Sequence, residues 1–285
     1  MNGILIVNKE AGYTSRDIVN VIGKKFNTRK VGHTGTLDPS ATGVLVVCIG
    51  KALKVCELLS SNEKEYIAGV TLGIETDTLD MDGSILSTEV VDIESDKIRE
   101  AVDSFKGIYL QEVPKYSAVK VNGRKLYEYA RQGIEVKLPR KEVNIADIEI
   151  ADKIEYKDGK VYFKIKCTVS KGTYIRSLVR DIGNKLGVKA VMNSLERTRQ
   201  GKFSIDEAYS LEDIMNDNYK LIKIEDALSE IPRMVVDDKV AFKIKNGVVI
   251  KKFDDEDEKF IFDKDGHLLA LYRNEQDDAR VYKMF

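Results

Sequence analysis

The chain has 285 residues, 43% of them hydrophobic and 33% charged. That is enough for one large domain with an appendage or two medium ones, and it excludes a disordered, collagenous or membrane protein. A net charge of -1 speaks against a polyanionic partner until it is counted by segment: Gly159 to Ile205 holds eleven Lys/Arg against two acids, and Glu75 to Asp103 ten acids against two bases. One face can therefore attract nucleic acid while another does not. The longest uncharged apolar stretch, Val44 to Ile49 with its flanks, is far short of the ~18 residues of a bilayer span. Met1 to Asn8 lacks the basic and apolar regions of a secretory signal. Cys48, Cys56 and Cys167, with His33 and His267, form neither an even disulfide framework nor a zinc quartet. The expected setting is a reducing cytoplasm.

In chain order, Gly3 to Val7 predicts a buried strand, and Thr14-Ser15 a helix start, with apolar spacing at Ile18, Val19 and Ile22. Thr28 to Gly43 predicts a loop of a length that is often functional. Val44 to Ile49 reads as a strand, Ala52 to Leu59 as a helix and Tyr66 to Leu72 as a strand, followed by a turn at Asp82-Gly83. Ser95 is expected to cap a helix running through Phe105, and Leu126 to Arg131 a shorter helix before Gly133. Val143 to Ile154 and Val161 to Val169 predict strands, with Lys157-Asp158-Gly159 as a hairpin signature. Thr173 to Leu186 predicts a helix with Ile175, Leu178, Val179, Ile182 and Leu186 on one stripe. Beyond Pro232, short strands with turns at Asn246-Gly247 and Lys264-Asp265-Gly266 predict a small β-rich unit, and Asp254 to Glu258 a solvated acidic loop. The fold class is α/β (α+β) with a mixed sheet.

Gly43 to Lys51 places six residues between its glycines, and Ala52 stands where a phosphate-binding loop needs Ser or Thr. Thr78 to Glu89 mimics a calcium loop but begins with Thr78, so a hairpin turn is the better reading. With no dinucleotide or Gly-x-Ser-x-Gly fingerprint, no cofactor and no metal are expected. Three candidates stand out. Asp38, in the glycine-rich segment Lys30 to Gly43, is the only carboxylate between Asp17 and Glu57, among Arg29, Lys30, Lys51 and Lys54. It can cap a backbone N–H in an Asp-Pro turn; a carboxylate in a cationic setting can equally act as a nucleophile. Arg176 begins a basic helix, where no cation is needed to balance the helix dipole, and is either a surface charge or the partner of a loop carboxylate. Tyr66 heads a strand, and its ring either packs in the core or stacks on an extruded base.

Together the segments Gly32 to Leu45, Lys64 to Gly83, Pro114 to Gly133, Ser170 to Gly183 and Leu195 to Phe203 closely resemble the bacterial TruB family of tRNA pseudouridine synthases, which isomerise uridine 55 of the T loop. Glu10, Val113 and Val169 depart from residues frequent in that family. The resemblance implies a catalytic domain over residues 1–230 and a small PUA-like RNA-binding domain over 231–285. It implies Asp38 as nucleophile, Arg176 as its partner and Tyr66 as the stacking ring, and Tyr66 is also a catalytic candidate, for the relay that removes the C5 proton. It also implies that His33 helps hold the T loop and that Tyr174 and Leu195 line the pocket. The implied protein is a cytoplasmic monomer that binds the T arm of tRNA and flips a base, with no membrane association. Two other readings remain: a non-catalytic T-arm-binding RNA-folding protein, and a synthase for a different uridine.

Overall fold

The computed structural model describes residues 1–60, 63–253 and 256–285. The chain opens with β1 (Gly3–Lys9), α1 (Ser15–Lys25), β2 (Val31–His33) and β3 (Thr42–Ile49), then a 3-10 turn (Gly50–Val55) leading into α2 (Cys56–Ser60). It continues through β4 (Lys64–Leu72), β5 (Ile74–Thr76), β6 (Ile85–Thr88), α3 (Ser95–Asp103), β7 (Gly107–Glu112), β8 (Lys120–Val121), β9 (Arg124–Lys125) and α4 (Leu126–Arg131). Next come β10 (Arg140–Ile150), β11 (Glu155–Lys157), β12 (Lys160–Val169), α5 (Ile175–Leu186) and β13 (Ala190–Gln200). The remainder is β14 (Phe203–Ser204), α6 (Leu211–Met215), α7 (Ile224–Ala227), β15 (Arg233–Val236), α8 (Asp238–Lys245), β16 (Ile250–Lys251), β17 (Glu258–Asp263), β18 (Leu268–Glu275) and β19 (Asp278–Met284).

The central sheet runs β1-β3-β13-β4-β12-β10-β7. It is the mixed sheet expected: β13 lies parallel to β3, and its other central pairs are antiparallel. β1 and β3 are almost wholly apolar because both their faces are covered. Ile4, Ile6, Val44, Val46 and Cys48 enter one core cluster, while Leu5, Val7, Leu45, Val47 and Ile49 enter another with Ile18 and Ile22 of α1, the two-residue alternation of a strand buried on both sides. A third cluster packs Ala68, Val70, Phe163 and Ile165 against Ile175, Leu178, Val179 and Ile182 of α5, the stripe its spacing predicts.

Local signals account for several boundaries. Thr14 caps α1 in a reciprocal box with Asp17. Asp158 and Gly159, at φ 52° and 69°, make the tight turn between β11 and β12. Three expectations need correction. The segment after Thr28 is not loop throughout, because Val31 to His33 pair with β3. Helix α3 is preceded by Glu94, and Ser95 is its first residue, not its cap. The unit beyond Pro232 holds a helix, α8, capped by Asp237, so Asn246-Gly247 ends that helix instead of turning a hairpin. The rest of that unit is a five-stranded sheet, β15-β17-β18-β19-β16, whose Phe260, Phe262 and Leu271 share a core cluster with Ile4 and Ile6. Of the expected acidic loop, Asp254 and Asp255 lie outside the described residues.

Candidate active site

A cavity of about 470 Å³ opens where the β2–β3 loop, β4, β13 and the start of α5 converge; among its lining residues are Asp38, Tyr66, Tyr174, Arg176 and Leu195. Five of the six candidate residues therefore meet in one place from segments far apart in sequence. The sixth, His33, is not among the lining residues; it sits one residue before Thr34, which is. Burial, aided by Arg16 and Arg197, pulls the His33 imidazole below its usual pKa, so at neutral pH it is uncharged.

Asp38 is held by its own loop. The Ser15 hydroxyl accepts from the Leu37 amide at 2.9 Å, and the Asp38 carbonyl accepts from the Ala41 amide at 3.1 Å. Lys9, buried at the end of β1, donates to the carbonyls of Glu10, Pro39 and Ala41 at 2.9, 3.1 and 2.6 Å. It thus ties the residues that follow Asp38 to the end of β1.

Arg176 reaches that carboxylate with two nitrogens: Nε lies 3.1 Å from Asp38 Oδ2, and Nη2 donates to Oδ1 at 3.3 Å, the forked pairing that fixes both distance and orientation. The arginine side chain is only 9% exposed, against 36% for Asp38, so the pair has a dry side and a side open to the cavity. Arg176 also donates to the Thr78 carbonyl at 3.0 Å and the Tyr116 carbonyl at 3.2 Å. A second carboxylate, Asp80, stands 3.4 Å from Nη1. Burial raises the Asp80 carboxyl above its ordinary pKa, opposed by the Thr78 hydroxyl and the Arg176 charge. The helical spacing that puts Ile175, Leu178 and Val179 in the core also turns Arg176 inward, so it is a buried structural ion and not a surface charge.

The start of α5 is anchored from β7. The Gln111 side chain accepts from the Tyr174 amide at 2.8 Å and donates to the Tyr174 carbonyl at 3.1 Å. This double clamp spans the two peptide groups that flank Tyr174, which lines the cavity. Tyr66 and Arg197 are register partners across β4 and β13, and Leu195 is opposite Ala68. Sequence reasoning missed Lys9, Asp80, Gln111 and Arg197 as parts of this construction. Only Asp80 had a visible signal, standing in the acidic turn where it was read as a calcium-loop mimic; its carboxylate turns toward Arg176 instead.

Comparison with known proteins agrees with this geometry. Residues 23–175 match the model for the TruB family pseudouridylate synthase N-terminal domain, and residues 176–235 that for the tRNA pseudouridylate synthase B C-terminal domain. The chain is 40% identical to tRNA pseudouridine synthase B of Bacillus subtilis strain 168 over 95% of its length and 93% of the relative's. It is 47% identical to the protein of that name from Alkaliphilus oremlandii over 87% of this chain and 82% of that one. Among solved structures, a Cbf5-Nop10-Gar1 complex contains a chain 28% identical, with a TM-score of 0.67 over 95% of this chain and 78% of that chain. An H/ACA RNP bound to a substrate RNA containing 2'-deoxyuridine contains one 25% identical, with a TM-score of 0.70 over 99% and 84%. Both family models fall on the elements that build the cavity, and the chain belongs to the TruB family of pseudouridylate synthases.

Proposed function

We propose that this protein isomerises uridine 55 in the T loop of tRNA to pseudouridine, with Asp38 as nucleophile. The observation that carries the reading is the forked Arg176–Asp38 pair, dry behind and open in front, in a cavity that also holds the Tyr66 ring. The reaction breaks the bond from uracil N1 to ribose C1', turns the base and joins C5 to C1'; the C5 proton leaves and N1 gains one, so no redox partner is required. The uridine first leaves its stack, at a cost of a few kcal/mol offset by stacking on an aromatic face and by phosphate contacts. Tyr66 supplies that face, Tyr174 and Leu195 bound the base, and His33 supports the T loop from beside the cavity. Asp38 then attacks ribose C1' or base C6, or assists elimination to a glycal, while Arg176 holds its carboxylate in line. Residues 1–230 form the catalytic unit and 231–285 a small RNA-binding unit, in a monomer that works in the cytoplasm on the T arm. Among the described residues no helix is long and apolar enough to cross a membrane.

The test is tritium release from a T-arm hairpin labelled at uracil C5. Release by the protein supports the reading; tight binding with no release from hairpin or whole tRNA replaces it with an RNA-clamping protein or a synthase for another uridine. Tyr66→Phe keeps the stacking ring, and RNA affinity is expected to stay within about threefold while the rate drops by roughly 100- to 10,000-fold if the hydroxyl takes part in proton transfer. A wild-type rate in that variant assigns Tyr66 to stacking alone.

Lys64 lines the same cavity, and burial, reinforced by Arg197 and Lys171, brings its ammonium down to about 8. It therefore loses its charge as pH rises through 8, and RNA affinity at fixed salt is expected to weaken between pH 7 and 9 more in wild type than in Lys64→Arg, whose guanidinium stays charged. Filter binding across that range checks this; parallel curves would remove Lys64 from the RNA contact surface.

A further inference from the structure

Arg197 is the largest fully buried side chain described in the protein. It lies on β13 with Gly43 of β3 on one side and Tyr66 of β4 on the other. Its Nε donates to the Val44 carbonyl at 2.6 Å and its Nη2 to the Gly35 carbonyl at 3.1 Å. Among the described residues no carboxylate pairs with it, and Nη1 has no hydrogen-bond partner. Burying a guanidinium on these terms is unfavourable, and an apolar side chain of similar volume would fill the space at least as well. Stability therefore does not account for it.

Its two carbonyl partners suggest what does. Gly35 and Val44 are the two feet of the segment that carries Asp38. A planar guanidinium presents its donors in a fixed fork, so one rigid group sets the spacing between the feet. The main chain reinforces the arrangement: Gly43 has φ of 100°, and a Cβ there would collide with the Arg197 carbonyl oxygen, so the loop is pressed directly onto β13. Lys9 ties the middle of the loop from the opposite side, through Pro39 and Ala41. Middle and ends are thus held by different cations, each bonded to main-chain carbonyls.

We propose that Arg197 is a positioning residue that sets the reach of Asp38 by tying Gly35 and Val44 to β13, the strand that also bears Leu195 and faces Tyr66. The inference rests on the reading of Asp38 as nucleophile. It places a determinant of rate about twenty residues from Arg176 along the chain, on the wall of the same cavity, where its guanidinium is spent on the carbonyls of Gly35 and Val44.

The experiment compares wild type, Arg197→Met and Arg197→Lys by single-turnover tritium release at saturating hairpin, RNA affinity, melting temperature and amide exchange of residues 35–44. Arg197→Met is expected to lose about 100-fold in rate, the cost of a displacement on the order of 1 Å at the reacting atoms. Its affinity should stay within about threefold and its loop amides should exchange faster while those of β4 and β12 do not. Arg197→Lys can satisfy one carbonyl and should recover about tenfold of the lost rate. A rate loss that follows the folded fraction, or a full rate in folded Arg197→Met, overturns the proposal. If neither variant folds, the wild-type exchange decides: loop amides protected as well as β3 uphold the tie, and exchange within seconds overturns it. Wild type that binds but releases no tritium would instead refute the functional reading, leaving the exchange result intact.

Discussion

Asp38→Asn is expected to fold, to bind the T-arm hairpin with near wild-type affinity, and to release tritium at least roughly four orders of magnitude more slowly, as loss of a nucleophile does elsewhere. The variant is nearly isosteric, and its side chain sits at the cavity edge, 36% exposed, so no core packing changes. The remaining amide oxygen can still accept from Arg176, and the loop contacts of Leu37, Pro39 and Ala41 are made by other atoms. What disappears is the anionic oxygen able to form a bond to carbon. Parallel loss of binding and turnover would make Asp38 a structural residue, and the functional reading would fall with it.

Arg176→Met is expected to cost both stability and rate. The guanidinium is 9% exposed and faces Asp38, Asp80 and the carbonyls of Thr78 and Tyr116. Removing one member of a buried ion cluster typically costs about 3–5 kcal/mol, because the remaining charge is left unpaired. The pH dependence identifies that charge. The Asp80 carboxyl is already raised by burial, with the Arg176 charge among the opposing influences; without Arg176 it rises further. A carboxyl raised in the folded state is a burden above its folded pKa, and the burden is relieved as pH falls through that value. The melting-temperature deficit of Arg176→Met should therefore shrink as pH is lowered from 7 towards the ordinary carboxylate pKa of about 4, and adding Asp80→Asn should recover part of it at pH 7. A deficit that does not change with pH would assign the loss to packing. Turnover of the folded fraction should drop by a further factor of about 100 to 1,000, the usual worth of a preorganised charge at a reacting group.

What the sequence discloses here is local. The cap at Thr14, the α5 stripe and the Asp158-Gly159 turn are each written in a few adjacent residues, and each appears in the structure. The candidate site residues became specific through five sequence blocks taken together; alone, Asp38 was as compatible with a turn cap as with chemistry. Contacts that depend on sheet order were not legible. Lys9 and Arg197 look like ordinary strand cations until β13 is inserted between β3 and β4, which no periodicity announces. Asp80 was hidden by its acidic neighbours, and α8 by its brevity. His33 was expected in a loop, and only its pairing partner in β3 reveals a strand.

The insertion of β13 also orders events in time. Its residues 190–200 separate β3 from β4, so neither earlier strand can complete that part of the sheet until they are available. β1 waits longer still: Ile4 exchanges main-chain hydrogen bonds with Ile222, and Asn8 donates to Tyr209. During N-to-C synthesis the segment bearing Asp38 leaves the ribosome long before the strand against which it is set, and contacts of such wide sequence separation form slowly. A growing chain thus carries every residue of the Asp38 loop before the cavity can close around it, because Leu195 and Arg197 of the cavity wall emerge only with β13.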